Sequence, residues 1–188
     1  MNAQQTHINQ LLERCKKNDS TAQMQVYKSY YKAMYNAAYR ILKNEFEAED
    51  VMQEAFLTAF TKLNSFKGEV TFGAWLKRIV INKSLTQLKK NSRYEEVKME
   101  VIPNYEIEET DINYSSLDVK SVLSCLNNLK ENYRIALTLN LIEGYDYEEI
   151  AQILKYSNEN VRTTISRAKR KLKQVLLANQ QKTQVYGR

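Results

Sequence analysis

Four neighbouring polar residues form the group of side chains best suited to chemistry in this chain. Glu49, Asp50, Gln53 and Glu54 recur at helical spacing within residues 48–63, so they share one surface of a predicted helix. Paired carboxylates of this kind can act as general acid and base, or they can bind a metal ion. Acidic residues in the first turn of a helix also simply complement the helix dipole. We favour this simpler interpretation over catalysis and keep a protein-binding surface open.

A second polar group lies in residues 146–172, which predict two helices joined by a tight turn. Asp146 and Glu149 have the spacing of a capping box at the start of the first helix. One face of the second helix is an apolar stripe made by Val161, Ile165, Ala168, Leu172 and Leu176. The other face carries Asn158, Asn160, Arg162, Thr163, Ser166, Arg167 and Lys169. Amide, hydroxyl and guanidinium groups suit base edges in a major groove and the phosphates beside it. The stretch therefore predicts a helix-turn-helix that contacts DNA with its second helix, and a solvated charged helix is the alternative.

Aromatic and basic residues are interleaved in a third stretch, at residues 72–90. The spacing of Phe72, Trp75, Leu76 and Ile79 predicts an amphipathic helix. Its remaining surface exposes Lys77, Arg78, Asn82, Lys83, Thr86 and Gln87. Aromatic planes beside cations suit single-stranded DNA, although both aromatic residues can equally belong to the core. The same two interpretations apply to a stripe formed by Tyr27, Tyr31, Tyr35 and Tyr39, for which we favour the core.

The elements that position these groups follow from composition and charge. One proline and four glycines in 188 residues predict an all-α chain with short loops. Residues 1–92 hold 14 basic and 8 acidic side chains, and residues 119–188 hold 12 and 6. Between them, residues 93–118 hold 2 basic and 8 acidic side chains and lack a sustained apolar period. The pattern predicts two small helical domains joined by an acidic, mobile linker.

The second domain is predicted to hold four helices, of which the first two span residues 117–129 and 133–142. Gly144 is placed to end the second of these helices, just before the helix-turn-helix. The polar tail from Asn179 onward is expected to fray. In the first domain, residues 64–71 are predicted to form a loop around Gly68.

Three stretches together resemble bacterial sigma factors of the extracytoplasmic-function class. They read AYRILKNEFEAEDVMQEAFLTAF, NSFKGEVTFGAWLKRIVINKSLTQLKK and LKENYRIALTLNLIEGYDYEEIAQILKYSNENVRTTISRAKRKL. The resemblance covers nearly the whole chain except the linker and the termini. It implies a first domain that binds RNA polymerase core and opens the minus-ten element, and a second domain that reads the minus-thirty-five element as duplex. Lys155 departs from the family pattern, because small residues or glycine are common near this turn.

The resemblance also implies roles for particular residues. Contact with the polymerase core is implied for Glu49, Asp50, Gln53 and Glu54. Binding of the minus-ten single strand is implied for Phe66, Lys67, Gly68 and Asn82, and we add Trp75, Arg78 and Thr86 from the aromatic and basic stretch. Binding of duplex DNA is implied for Ser157, Asn158, Asn160, Arg162, Thr163, Ser166, Arg167 and Arg170. The expected partners are the clamp helices and flap of RNA polymerase core, promoter DNA and an anti-sigma factor.

Two other functions compete with a sigma factor. One is a two-domain helix-turn-helix regulator that binds duplex DNA without engaging the polymerase core. The other is a nucleic-acid enzyme that uses the carboxylates of Glu49, Asp50 and Glu54. One histidine and two isolated cysteines offer few further ligands, so we expect no metal, cofactor, catalytic residue or small-molecule substrate. The absence of a long apolar run or signal peptide predicts a cytoplasmic protein without membrane insertion.

Overall fold

The chain divides into two compact units, Met1–Arg93 and Tyr94–Arg188. The computed structural model describes residues 3–91 and 118–186, and all regular structure within these ranges is helical. The all-α, two-domain prediction is therefore confirmed. The acidic linker predicted at 93–118 lies outside the described residues except for Asp118, so its limits and mobility stay predictions. Among the described helices, none is both long and apolar enough to cross a membrane.

The first unit is built from four helices. They are α1 (Ala3–Lys16), α2 (Ser20–Leu42), α3 (Glu45–Thr61) and α4 (Phe72–Lys90). Helices α2, α3 and α4 pack against one another, while α1 packs against α2 and against a 3-10 turn at Leu63–Ser65. Their amphipathic faces meet in a core whose largest fully buried side chains are Met34, Ile41, Leu63, Phe72, Leu76, Ile81 and Leu88.

Side-chain caps decide where three of these helices begin. Each cap is a side-chain oxygen that accepts a hydrogen bond from the backbone amide three residues further on. The bonds run from Ala22 to Asp19 at 3.1 Å, from Glu47 to Asn44 at 3.1 Å, and from Ala74 to Thr71 at 3.2 Å. Because Asn44 supplies a cap, α3 begins at Glu45 rather than at the predicted residue 48.

The tyrosine stripe of α2 lies at the edge of the core rather than inside it. Tyr27 is half-buried against Phe56, with 4.8 Å between ring centroids, and it stacks on Tyr31 at 5.8 Å. Tyr31 remains 36% exposed. The prediction that this stripe belongs to the core is therefore only partly correct, because Tyr27 packs on the core while Tyr31 faces solvent.

The second unit holds the four predicted helices with different limits. They are α5 (Val119–Asn127), α6 (Glu131–Leu137), α7 (Tyr147–Leu154) and α8 (Asn158–Tyr186). Helix α6 continues into a π-helical turn at Thr138–Ile142, and Gly144 follows with φ at +79°, as its predicted role requires.

Helix α8 continues to Tyr186, so the tail from Asn179 is helical at least as far as this residue. Its fraying stays a prediction. The Asn179 side-chain amide also donates a hydrogen bond to Sγ of the buried Cys125, at 3.1 Å, so this turn of α8 is tied to α5.

One glycine controls how closely α4 approaches α2. A Cβ atom on Gly73 would lie 2.8 Å from Cε1 of Tyr30, closer than van der Waals contact allows. The Tyr30 ring cannot move away freely, because it packs edge-on against the buried Phe72 with 5.5 Å between centroids.

We predict that Gly73→Ala destabilises the first unit by about 1–2 kcal/mol, because an extra methyl in a packed interface costs more than alanine gains in a helix. Urea unfolding of the full chain, followed by the fluorescence of Trp75, measures this unit specifically, since Trp75 is the only tryptophan. The same substitution in a Tyr30→Ala background is the control, because the ring that causes the clash is then gone. There Gly73→Ala should become neutral or stabilising, and an unchanged penalty would show that Tyr30 is not its cause.

Candidate nucleic-acid and protein interfaces

Helix α3 presents the four polar side chains singled out from the sequence on one exposed surface. Glu49, Asp50, Gln53 and Glu54 are all exposed, and we call them the α3 acidic face. Gln53 Nε2 donates to Glu49 Oε1 at 3.3 Å, and Lys83 Nζ of α4 lies 3.1 Å from Glu54 Oε2. The α3 acidic face is therefore a partly preorganised polar surface on a rigid helix.

One residue of this surface also affects a side chain of α2. The pKa of Tyr35 is raised above its ordinary value, by desolvation first and then by Glu45, Tyr39 and Glu49. The described side chains do not form a metal-binding site at this surface. Within residues 3–91 and 118–186, His, Cys, Asp and Glu side chains form no group of three that could hold an ion.

Helices α3 and α4 carry opposite charges although they pack against each other. Helix α3 has no lysine or arginine and five carboxylates, at Glu45, Glu47, Glu49, Asp50 and Glu54. Helix α4 has no carboxylate and five cations, at Lys77, Arg78, Lys83, Lys89 and Lys90. The polar contacts between the helices include Glu54 with Lys83, and Asn91 Nδ2 donating to Glu47 Oε1 at 2.7 Å. These contacts place the start of α3 beside the end of α4, so the pair is antiparallel.

A groove of about 550 Å³ runs between α3 and α4. Its walls include Trp75, Asn82 and Thr86, three of the residues predicted to bind a single strand. They also include Lys62, Lys83 and Lys90. Arg78 is half-buried and does not line the groove. The structure thus brings an aromatic ring, an amide, a hydroxyl and three cations to one concave surface, which suits a nucleic-acid strand. Glu54 of the α3 acidic face also lines this surface, where it pairs with Lys83.

The loop before α4 is held to this groove by an aromatic cluster. Phe66 is half-buried, and its ring centroid lies 5.2 Å from that of Trp75 and 5.8 Å from that of Phe72. Gly68 adopts φ at +77°, where its residue type is favoured, and both Lys67 and Gly68 are exposed. Phe66 therefore has a structural role in the loop whether or not it also contacts a base.

In the second unit, α7 and α8 form the predicted helix-turn-helix. The capping box is present, because Asp146 Oδ1 accepts from the Glu149 amide at 2.8 Å and Glu149 Oε2 accepts from the Asp146 amide at 2.9 Å. Lys155 ends α7 with φ at +59°, a left-handed conformation that is unfavourable for a residue other than glycine. Ser157 then caps α8, since its Oγ accepts from the amide of Asn160 at 3.2 Å.

The apolar stripe of α8 is buried as predicted, and it fixes which side chains face outward. Each residue of the stripe is at most 8% exposed, namely Val161, Ile165, Ala168, Leu172 and Leu176. Of the residues predicted to bind duplex DNA, the exposed ones are Ser157, Asn158, Arg162, Thr163 and Ser166. Asn160, Arg167 and Arg170 are half-buried.

Hydrogen bonds within α8 already occupy part of this polar set. Asn160 Oδ1 accepts from the hydroxyl of the buried Thr164 at 3.2 Å, and the Thr163 hydroxyl donates to the Glu159 carbonyl at 2.8 Å. Arg162 lies in the first turns of the helix and is exposed.

The sequence alone did not predict that Lys62 and Lys90 lie on one surface, although both line the groove. Lys62 follows α3 and Lys90 ends α4, so only the antiparallel packing of the two helices brings them together. A helical projection of α4 alone would have placed Lys90 on the same side as Thr86, but it could not have included Lys62.

The sequence matches two family models in the order of the two units. Sigma-70 region 2 matches residues 26–94, and Sigma-70, region 4 matches residues 120–172. The ECF RNA polymerase sigma-E factor of Haemophilus influenzae is 30% identical over 179 residues, which cover 89% of this chain and 94% of that protein. The ECF RNA polymerase sigma factor SigW of Bacillus subtilis is 27% identical over 186 residues, which cover 90% and 96%.

Solved structures give the same result. The sigma factor RpoE of Bartonella quintana, in complex with the anti-sigma factor NepR, matches with a TM-score of 0.56 and 25% identity, over 81% of this chain and 95% of that chain. CnrH, in complex with the cytosolic domain of CnrY, matches with a TM-score of 0.55 and 26% identity, over 89% and 96%. With both sigma-70 regions in order and a relative of 30% identity along nearly its whole length, the chain belongs to the ECF family of RNA polymerase sigma factors.

Proposed function

We propose that this sigma factor directs RNA polymerase core to promoters through three surfaces. The α3 acidic face contacts core, the groove between α3 and α4 holds a single strand of opened DNA, and α8 reads duplex DNA. The observation that supports this division best is the opposite charge of α3 and α4. An acidic helix repels a DNA phosphate backbone, whereas a basic one attracts it, so the charges favour protein on the outer surface of α3 and DNA on the α4 wall of the groove.

Exposure and rigidity support the assignment of the α3 acidic face to polymerase. The opposite side of α3 is anchored by Val51, Met52 and Phe56, all at most 5% exposed. A partner therefore meets polar side chains that are displayed on a helix whose orientation is fixed by the core.

The groove supports binding of a single strand because stacking and charge coincide there. Trp75 offers a partly exposed ring, Asn82 an exposed amide, and Lys62 and Lys90 offer exposed ammonium groups. An unstacked base needs an apolar plane and hydrogen-bonding groups, and its phosphates need cations.

We further propose that an anti-sigma factor holds this chain inactive. The support is that RpoE of Bartonella quintana was solved in complex with the anti-sigma factor NepR. The comparisons favour neither alternative raised by the sequence, and we propose that the chain has no catalytic activity of its own, since polymerase supplies the chemistry.

The first prediction tests the α3 acidic face. Asp50→Ala combined with Gln53→Ala should weaken binding to cognate RNA polymerase core about 10-fold or more, which is the range of interface hot spots. Both side chains are exposed, so the free energy of unfolding should change by less than about 0.5 kcal/mol. Core affinity is measured by fluorescence anisotropy of the labelled chain, and unfolding by Trp75 fluorescence. Unchanged affinity in a normally folded variant would remove polymerase binding from this face.

The second prediction tests the groove. Asn82→Ala should slow formation of the open complex without weakening initial promoter binding, because the lost amide contacts DNA only after its strands separate. Permanganate reactivity of thymines measures opening, and a footprint of the duplex element measures initial binding.

Asn36→Ala is the matched control, because Asn36 is an exposed amide on α2 that does not line the groove. We choose Asn82 rather than Phe66 because Phe66 also packs against Trp75 and Phe72. A pre-melted template should restore transcription by the Asn82 variant. Loss of activity that persists on such a template would contradict a role in capturing an extruded base.

The third prediction concerns α8. Arg162→Ala should cost roughly 1–3 kcal/mol on a selected duplex site and relax preference at one or two base pairs. Arg167→Ala should weaken binding to selected and scrambled duplexes alike and lower the salt slope by about one unit. Duplex affinity of the full chain across salt concentrations separates the two effects. Lys171→Ala serves as control, because Lys171 is exposed on α8 but lies outside the predicted duplex-binding set. If Arg162→Ala preserves the ratio between selected and scrambled sites, α8 does not read sequence through this residue.

A further inference from the structure

A buried threonine of α8 makes a hydrogen bond of an unusual kind for this chain. Hydroxyl groups within helices commonly donate to the backbone carbonyl four residues earlier. This pattern holds at Ser29, Thr58, Thr61, Ser84, Thr86 and Thr163. Thr164 instead donates to Oδ1 of the Asn160 side chain, at 3.2 Å, and it is only 5% exposed. Because a buried hydroxyl is costly to leave without a partner, this bond holds the Asn160 side chain in one orientation.

The bond decides which half of the Asn160 amide faces away from the core. Its oxygen, Oδ1, is turned toward the Thr164 hydroxyl, so its nitrogen, Nδ2, is turned the other way. Nδ2 carries two hydrogen-bond donors, and it has no partner within residues 3–91 and 118–186. The half-buried Asn160 side chain therefore offers two donors outward, without an acceptor beside them.

The position of Asn160 on α8 suits contact with a base. It is the third residue of the helix, and its backbone amide donates to the cap Ser157 at 3.2 Å. Recognition helices contact base edges through the residues near their N-terminus. Arg162 lies two residues further on, about 200° around the helix axis, so the two side chains leave on different flanks of the face opposite the apolar stripe. They therefore meet different base pairs when α8 lies in a major groove.

We propose that Asn160 reads guanine in the major groove, and that Thr164 is the positioning residue that turns its amide nitrogen toward the base. This inference rests on the proposed reading of duplex DNA by α8, and it adds the base and the buried residue behind the contact. Guanine presents two neighbouring acceptors, N7 and O6, which suit a nitrogen with two donors. Adenine presents a donor beside its N7 acceptor, and it pairs best with an amide that offers both Oδ1 and Nδ2. Thymine presents one acceptor and cytosine a donor, so each takes fewer bonds from Nδ2 than guanine does.

The buried partner increases selectivity because it restricts rotation of the amide. An asparagine side chain that is free to turn presents either its oxygen or its nitrogen, so it binds bases with donors and bases with acceptors alike. In this chain, turning the amide takes Oδ1 away from the Thr164 hydroxyl hydrogen and breaks their bond. A net hydrogen bond of ordinary strength disfavours the turned amide about 5-fold.

The experiment measures base preference with holoenzyme assembled from cognate RNA polymerase core. A duplex site is first selected from a randomised library, and each of its base pairs is then replaced by the other three. At one base pair the native chain should favour guanine over adenine about 10-fold. Asn160→Ala should remove the preference at that base pair and leave the base pairs read through Arg162 unchanged.

Two substitutions test whether Thr164 orients the amide. Thr164→Val keeps the shape of the buried side chain but has no hydroxyl, so the preference for guanine over adenine should fall to about 2-fold. Thr164→Ser keeps the hydroxyl and should retain the preference. Thr138→Val is the matched control, because Thr138 is 2% exposed in the same unit but lies outside α8. It should leave base preference unchanged, and circular dichroism during heating confirms that the variants fold.

A further substitution tests the orientation without altering the buried residue. Asn160→Asp keeps an oxygen toward the Thr164 hydroxyl and turns a second oxygen outward, so the donors facing the base become an acceptor. The preferred base at the same base pair should then change from guanine to cytosine, whose N4 amine is a donor.

The outcomes separate this inference from the proposed function. If Arg162→Ala lowers the ratio between selected and scrambled sites while Asn160→Ala changes no base preference, α8 reads DNA and the role given to Asn160 is wrong. If neither substitution changes the ratio, the proposed reading by α8 fails and this inference fails with it. A native preference for adenine, cytosine or thymine at the base pair that depends on Asn160 would overturn the assignment of guanine. Full guanine preference in a folded Thr164→Val variant would remove Thr164 as the positioning residue.

Discussion

The contact between Gly73 and Tyr30 is the constraint on which the candidate sites of the first unit depend. It sets how closely the start of α4 approaches α2, and the neighbouring Phe72 is fully buried because of that approach. Phe72 in turn holds Phe66 and Trp75 in one aromatic cluster. The loop before α4 and the wall of the groove therefore follow from one close packing of a glycine against a ring.

The second unit relies on local hydrogen bonds instead. The reciprocal bonds of Asp146 and Glu149 start α7, and the Ser157 hydroxyl starts α8. Between them Lys155 takes a left-handed conformation that would suit glycine better. Two caps and one strained residue thus set the angle of the helix-turn-helix, and the buried stripe of α8 then decides that Arg162 faces outward.

Much of this arrangement could be predicted from the sequence because it depends on local patterns. Capping residues and apolar periods predicted the helix-turn-helix and the side of α8 that is buried. They also predicted that Asp50 and Gln53 are exposed. The first turn of α3 was missed because the predicted helix began at residue 48, whereas the cap from Asn44 starts it at Glu45. The groove required knowing that α3 and α4 pack antiparallel. The tie between α8 and α5 is a hydrogen bond from Asn179 to Cys125, which is 54 residues away in sequence.

The opposite charges of α3 and α4 give the first unit an electric dipole across the short axis of its helix pair. In the field of a DNA duplex such a dipole experiences a torque that turns α4 toward the phosphates and α3 away from them. The unit would thus be oriented before it touches DNA, with Asp50 and its neighbours pointing outward, where a bound protein would not clash with the duplex. Because ions screen this torque over about 10 Å at 0.1 M salt, the orientation acts only within about the last 10 Å of approach. Raising the salt concentration would therefore randomise the orientation in which the first unit approaches DNA, in addition to lowering its affinity for DNA.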